Sequence, residues 1–237
     1  MNQNNPTFRF FCLVPTGSMI LLAALLASCT SLRQLDDFKE LAAKAEYGKI
    51  ANTPVDCKAE DDGCNQSHLI KGDACYRLAK ANTDPAPNYL CAATELEQGI
   101  QQTGDWKSLE PVLGKPELYY ENFCESLRMV RDSQTSNAAS LPYNRKLADC
   151  ARNFPRPDGH SHPAAVFFRN NSRVADIRLN FNELKGKPGI VCPELGRLLQ
   201  EEQAEVGQQT PYTANHQQLL RDIFLFISSI PGCKNPN

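Results

Sequence analysis

Apolar residues recur every three to four positions along most of this chain, and glycine and proline cluster in the gaps between such stretches. That period places one apolar stripe along a helix, and no convincing alternating strand pattern interrupts it. The first helix is predicted over 32–47, with Leu32, Leu35, Phe38, Leu41, Ala42 and Ala45 on one stripe. Further helices are predicted over 67–81 and 88–102, from Pro116 through Leu118, Tyr119, Phe123, Leu127 and Val130, and over 141–154, 163–184, 193–206 and 214–229. Proline suits a first helical turn, as at Pro116 and Pro163, and Ser161 and Thr213 are expected as N-caps. The stretch with Gly104, Trp106, Pro111 and Gly114 reads as a loop.

One apolar segment behaves differently. Met19–Ala27 is a nine-residue run without charge, too short for a permanent membrane helix but suited to a signal-peptide core. Arg9 is the only basic residue before it, and Leu26-Ala27-Ser28-Cys29 closes it. This ending is similar to the lipobox of bacterial lipoproteins, in which the cysteine is acylated and becomes the mature N-terminus. The resemblance implies a signal over 1–28, a lipidated N-terminus and first helix over 29–51, and a helical-repeat domain over 52–237. It also implies lipid anchoring at Cys29. Thr30, rather than Asp, implies delivery to the periplasmic face of the outer membrane. An ordinary cleaved signal and an uncleaved anchor are the alternatives.

Ten cysteines are present, of which Cys12 would leave with the signal and Cys29 would carry lipid. An even remainder in an exported chain points to disulfides. Folding the helices back on one another narrows the pairings. A turn near residue 84 places Cys75 within one helical turn of Cys91. A turn near 136 sets Cys124 opposite Cys150, and one near 210 brings Cys192 and Cys233 to the same open end, leaving Cys57 and Cys64 to close a short loop. Disulfides need Cα atoms roughly 4.4–6.8 Å apart, which the seam between adjacent helices supplies. The alternative is that some cysteines stay free and buried. No CxxC occurs, so neither a zinc knuckle nor a thioredoxin-like centre is supported.

The expected fold class is therefore all-α: antiparallel helical hairpins stapled by disulfides and stacked as a short solenoid. Gly72, Ala74 and Tyr76, followed by Tyr89, Ala92, Leu96 and Gly99, resemble the two helices of a tetratricopeptide repeat. Tyr76 stands one position late, and the turn between the predicted helices is about eight residues longer than the motif has. A plain stapled bundle is the alternative.

Candidate chemistry is sparse. Asp158 with His160-Ser161-His162 offers metal-ligating types without a third and fourth ligand, so no metal is expected. Glu60-Asp61-Asp62-Gly63 lacks the ligand alternation of a calcium loop and reads as a solvated acidic turn. His68 and His216, near helix starts, read as surface or capping residues. Ile223–Ile227 is the strongest later apolar stretch and reads as a core helix. No nucleophile elbow, HExxH or phosphate loop occurs, so neither catalysis nor a cofactor is expected. Losing Arg9 shifts the formal net charge from −2 to −3, and without a basic stripe nucleic acid is excluded as a partner. Tyr119 and Phe123 fit a core, while Trp106 and Tyr120 fit a surface, with Arg128 and Arg131 as a basic edge for an acidic peptide or C-terminal carboxylate. The resulting expectation is a membrane-tethered scaffold that binds another envelope protein. A cell-wall hydrolase using paired carboxylates, or a structural lipoprotein without a ligand, are the alternatives.

Overall fold

The computed structural model describes residues 19–156, 159–184 and 187–233, with side chains from Ser31 onward. The described residues form helices α1 (Met19–Ala43), α2 (Tyr47–Asn52), α3 (Cys64–Lys80), α4 (Pro85–Gln102), α5 (Trp106–Leu113), α6 (Pro116–Ser133), α7 (Asn137–Arg152), α8 (Pro163–Leu179), α9 (Phe181–Leu184), α10 (Pro188–Gly207) and α11 (Thr213–Ser229). No strand occurs among them. Packing runs mainly between neighbours in the chain: α3 on α4, α4 on α6, α6 on α7, α7 on α8, and α10 on α11. The molecule is a succession of antiparallel hairpins, each laid against the next.

The disulfides follow that order. Cys57–Cys64, Cys75–Cys91, Cys124–Cys150 and Cys192–Cys233 are bonded, with Cα separations of 5.7, 5.9, 5.8 and 5.4 Å. These are the pairings the hairpin register predicts. Three of them join the two helices of one antiparallel pair or their ends, so they fasten hairpins and do not link one hairpin to another.

The α3–α4 hairpin owes its closeness to two glycines. A Cβ on Gly72 would come within 2.5 Å of Leu96 Cγ, and one on Gly99 within 2.7 Å of Leu69 Cγ. Each leucine of one helix therefore sits in the notch left by a glycine of the other, and Leu69 and Leu96 are fully buried. Ala92 lines the same core, whereas Ala74 packs on the other side with Leu35, Phe38, Ile50 and Ile70. The repeat-like small residues thus serve two different seams. The connection from α3 to α4 is only residues 81–84, because Pro85 and Pro87 lie in the first turn of α4, where proline is tolerated. The long turn expected from sequence is absent.

Several boundaries differ from the periodic reading. The first helix ends at Ala43 and not at 47. The Glu46 amide donates to Leu41 O while Ala45 adopts φ 56°, a helix stop that usually carries glycine. Residues 106–113 are helical: the Asp105 side chain accepts from the Lys107 amide and Gly114 ends the turn at φ 84°. The sixth predicted helix breaks after Leu179 into α8 and α9, and α7 and α10 each begin four or more residues early, with Pro142 and Pro193 inside. The cap of α8 is His162, whose Nδ1 accepts from the Ala164 amide, and not Ser161. Thr213 lies inside α11 after the cap residue Tyr212.

No helix among the described residues is long and apolar enough to cross a membrane. In α11, Ile223 and Ile227 are core, but Phe224 and Leu225 on the same run are exposed. Cys29 falls within α1, yet side chains before Ser31 lie outside the described residues, as do Arg9, Cys12 and Asp158.

Candidate functional site

The aromatic patch is built by α5 and α6. Trp106 opens α5 on the stripe that also holds Leu109 and Leu113, and it is partly buried against the core. Tyr119 is buried, and its hydroxyl donates to Leu113 O at 2.8 Å, tying α6 to α5. Phe123 is also core. From there ring contacts continue through partly and fully buried positions: Trp106 to Tyr120 at 6.3 Å, Tyr120 to Phe154 at 5.8 Å, and Phe154 stacked on His162 at 5.0 Å. Such offset contacts hold each ring against rotation.

Tyr120 lines an open cleft of about 430 Å³ between α4, α6 and α7, with Ile100 and Phe123 on its apolar side. Lys146 of α7 donates to Glu97 of α4 at 2.5 Å across it, and Arg152 pairs with Asp149 at 3.0 Å. Burial raises the Tyr120 hydroxyl pKa, so the hydroxyl stays neutral and able to donate. Trp106 braces Tyr120 from behind and does not line the cleft.

Arg128 and Arg131 lie elsewhere. They line a separate cavity of about 350 Å³, with Arg178 of α8 and Asp222 of α11. Neither forms a free basic edge. Arg128 donates twice to Glu125, at 2.8 Å each, and once to Asp132 at 3.3 Å. Arg131 is only 6% exposed; it donates to Asn144 Oδ1 at 3.0 Å and to Asp132 at 2.7–2.8 Å. Asn144 passes the link on to Ser172 O at 3.0 Å, so Arg131 ties α6 through α7 to α8. Burial pulls the Arg131 pKa down, while the hydrogen bonds Arg128 donates to Glu125 push its own up.

The two other histidines are interior. His68 Nδ1 lies 2.6 Å from Glu95 Oε2, and Lys71 reaches the same carboxylate at 2.8 Å. His216 is fully buried, with Nδ1 2.7 Å from Glu202, itself fully buried and bonded to Asn170 at 2.7 Å. Each pair crosses the seam of its own hairpin, α3–α4 or α10–α11, where the acid on the facing helix pairs with Nδ1 of the ring, while His216 Nε2 is buried without a hydrogen-bond partner. Sequence order separates these partners by 27 and 14 positions, so helix pairing alone reveals them.

Among the described residues one group of three potential metal ligands is close enough to share an ion, Cys57, Cys64 and His68. Both sulfurs there are bonded to each other and the imidazole is committed to Glu95. In the acidic turn, Asp61 accepts from the Lys58 amide at 2.8 Å, and Gly63 (φ 79°) turns into α3 where a Cβ would come within 2.7 Å of Leu35. His162 serves as helix cap and ring platform. Compared with family models, curated proteins and solved structures, the chain matches none.

Proposed function

We propose that this protein is a lipid-anchored envelope scaffold that binds another envelope protein through the Tyr120 cleft, without catalysing a reaction. The observation that carries the reading is the cleft itself. It offers a half-buried tyrosine, braced by Trp106 and Phe154, beside an apolar wall and a Lys146–Glu97 pair. Aromatic anchors in partly dry clefts with a charged rim are where binding energy concentrates. The four disulfides support an oxidising compartment, in keeping with the lipobox-like Leu26-Ala27-Ser28-Cys29. A tether at the membrane raises the local concentration of membrane partners without further contacts.

The test is an affinity pull-down from membranes with the full-length protein and its Tyr120→Ala and Trp106→Ala variants. Losing a central tyrosine anchor weakens such interfaces by roughly 2 kcal/mol, about thirtyfold, so the Tyr120→Ala variant releases its partner. Trp106→Ala weakens it less. Retention of every partner by both variants disproves the cleft assignment. Mass spectrometry of the mature N-terminus tests the anchor: an acylated Cys29 is expected, and an intact Met1 overturns it.

A further inference from the structure

A third cleft, between α7 and α8, has a different character. Its volume is about 280 Å³, and its floor is Ala148, Ala151, Ala165 and Val166. Around that floor stand four arginines, Arg152, Arg156, Arg169 and Arg173, with Ser161 and Ser172, and no carboxylate lines it among the described residues.

The four charges are not equivalent. Arg173 is held by Glu194 at 2.8 Å and Glu201 at 2.6 Å, and Arg197 shares those two carboxylates at 2.6 and 3.0 Å, so that group is neutral. Arg152 is offset by Asp149. Arg156 and Arg169 have no carboxylate partner among the described residues; Arg169 Nε reaches only the Asn170 amide oxygen at 3.3 Å. Both are exposed at the rim. Two guanidinium groups without a carboxylate partner among the described residues therefore line one small cleft in a chain whose net charge is negative. A third fork, Arg173, is fixed in place by its acids.

Arginine forks match tetrahedral oxyanions with paired hydrogen bonds, and this cleft holds arginines without a lysine. The small floor side chains let a compact group sit low between the helices. A charge near −2, matching the two open arginines, belongs to a phosphomonoester rather than to a single carboxylate. We propose that the α7–α8 cleft is a phosphate-binding site, which takes the phosphomonoester of a small soluble molecule or of an anionic lipid headgroup. It adjoins the Tyr120 cleft through Arg152, which lines both, but neither Arg156 nor Arg169 lines that one.

The full chain, purified in neutral maltoside detergent, is titrated calorimetrically with inorganic phosphate. It is also titrated with mixed micelles that carry phosphatidic acid, and with micelles that carry only phosphatidylcholine. A charged hydrogen-bonding partner accounts for about tenfold in affinity, so the Arg156→Gln/Arg169→Gln variant binds about a hundredfold more weakly. Arg145→Gln, an exposed α7 change outside the cleft, leaves affinity unchanged. Binding of free phosphate assigns the site to a soluble ligand, and binding only to phosphatidic acid micelles assigns it to a headgroup. Absence of heat with both probes overturns the proposal. So does equal binding by wild type and the double variant, or equal weakening by Arg145→Gln.

Discussion

Replacing Gly72 with alanine tests the packing of the first stapled hairpin, because two physical effects predict opposite signs. Alanine in a helix interior is more favourable than glycine by roughly 0.5–1 kcal/mol, so propensity alone stabilises the variant. The added methyl, however, would lie 2.5 Å from Leu96 Cγ, 2.8 Å from Leu96 Cδ2 and 3.0 Å from the Leu96 backbone nitrogen. The side chain of Leu96 is fully buried and has nowhere to rotate, and the backbone contact persists whatever rotamer it takes. The helices must therefore separate, and overpacking of this kind costs about 1–3 kcal/mol, near the upper end where main chain is involved. The net expectation is a loss of about 2 kcal/mol, or close to 1 M in the urea midpoint at an ordinary slope. Equilibrium unfolding of the oxidised protein by circular dichroism measures it. A double-mutant cycle sharpens the result: Leu96→Ala alone costs about 2–5 kcal/mol, and in the Gly72→Ala background it costs at least ~1 kcal/mol less, because the clash goes with the side chain. A midpoint that rises in Gly72→Ala would refute the close-approach reasoning.

Four further outcomes are expected. Removing the Cys192–Cys233 bond by paired serine substitution costs about 3.9 kcal/mol and removing Cys57–Cys64 about 2.4 kcal/mol, on a loop-entropy scale applied to separations of 41 and 7 residues; denaturant midpoints check the order. Burial opposes the charged form of Glu95, but hydrogen bonds from His68 and Lys71 outweigh it and lower its pKa, so its stabilisation is complete above its ordinary value of 4.5 and is lost as pH falls through the lower folded value. Glu95→Gln should flatten the acid limb of the stability profile there and leave its alkaline side unaltered. His216→Leu strands the buried Glu202 carboxylate and costs about 3–5 kcal/mol, whereas His216→Leu/Glu202→Leu recovers part of it; equal losses in the two variants would contradict the pairing. Ala45→Gly relieves a left-handed residue and raises stability by roughly 1 kcal/mol, read as an upward shift in melting temperature.

The helical class and the disulfide pairing were legible because each rests on spacing. Apolar stripes repeat at the helical period, and cysteines fall near mirror positions about their turns, as Cys124 and Cys150 do. What escaped depends on contacts that spacing does not encode. Ala45 stops α1 where a glycine would have announced it, so the apolar stripe ran on through the break. Helix α5 hid behind Pro111 and two flanking glycines, and its capping aspartate, Asp105, was the one signal that could have exposed it. Proline inside α7 and α10 made both helices look shorter than they are.

The site was half readable for the same reason. Tyr119 and Phe123 were assigned inward, as helical phase decides, whereas Tyr120, assigned to the surface, is half-buried against the core. Phase also gave Arg128 and Arg131 as neighbours, but it could not show that Asn144 of α7 and the acids of α6 already occupy them. His68 and His216 failed likewise: each is defined by a glutamate on the facing helix. The arginine cleft went unseen because Arg152 and Arg156 meet Arg169 and Arg173 only once α7 and α8 pair.

Each cysteine of the stapled domain is joined to the next cysteine along the chain: 57 to 64, 75 to 91, 124 to 150 and 192 to 233. A polypeptide that emerges N-terminus first into an oxidising space would present its thiols in that order. An oxidant that closes each newcomer onto its unpaired predecessor then reaches the final connectivity directly, out of on the order of a hundred combinations, with no reshuffling enzyme. For a chain exported as proposed, maturation is thereby written into translocation.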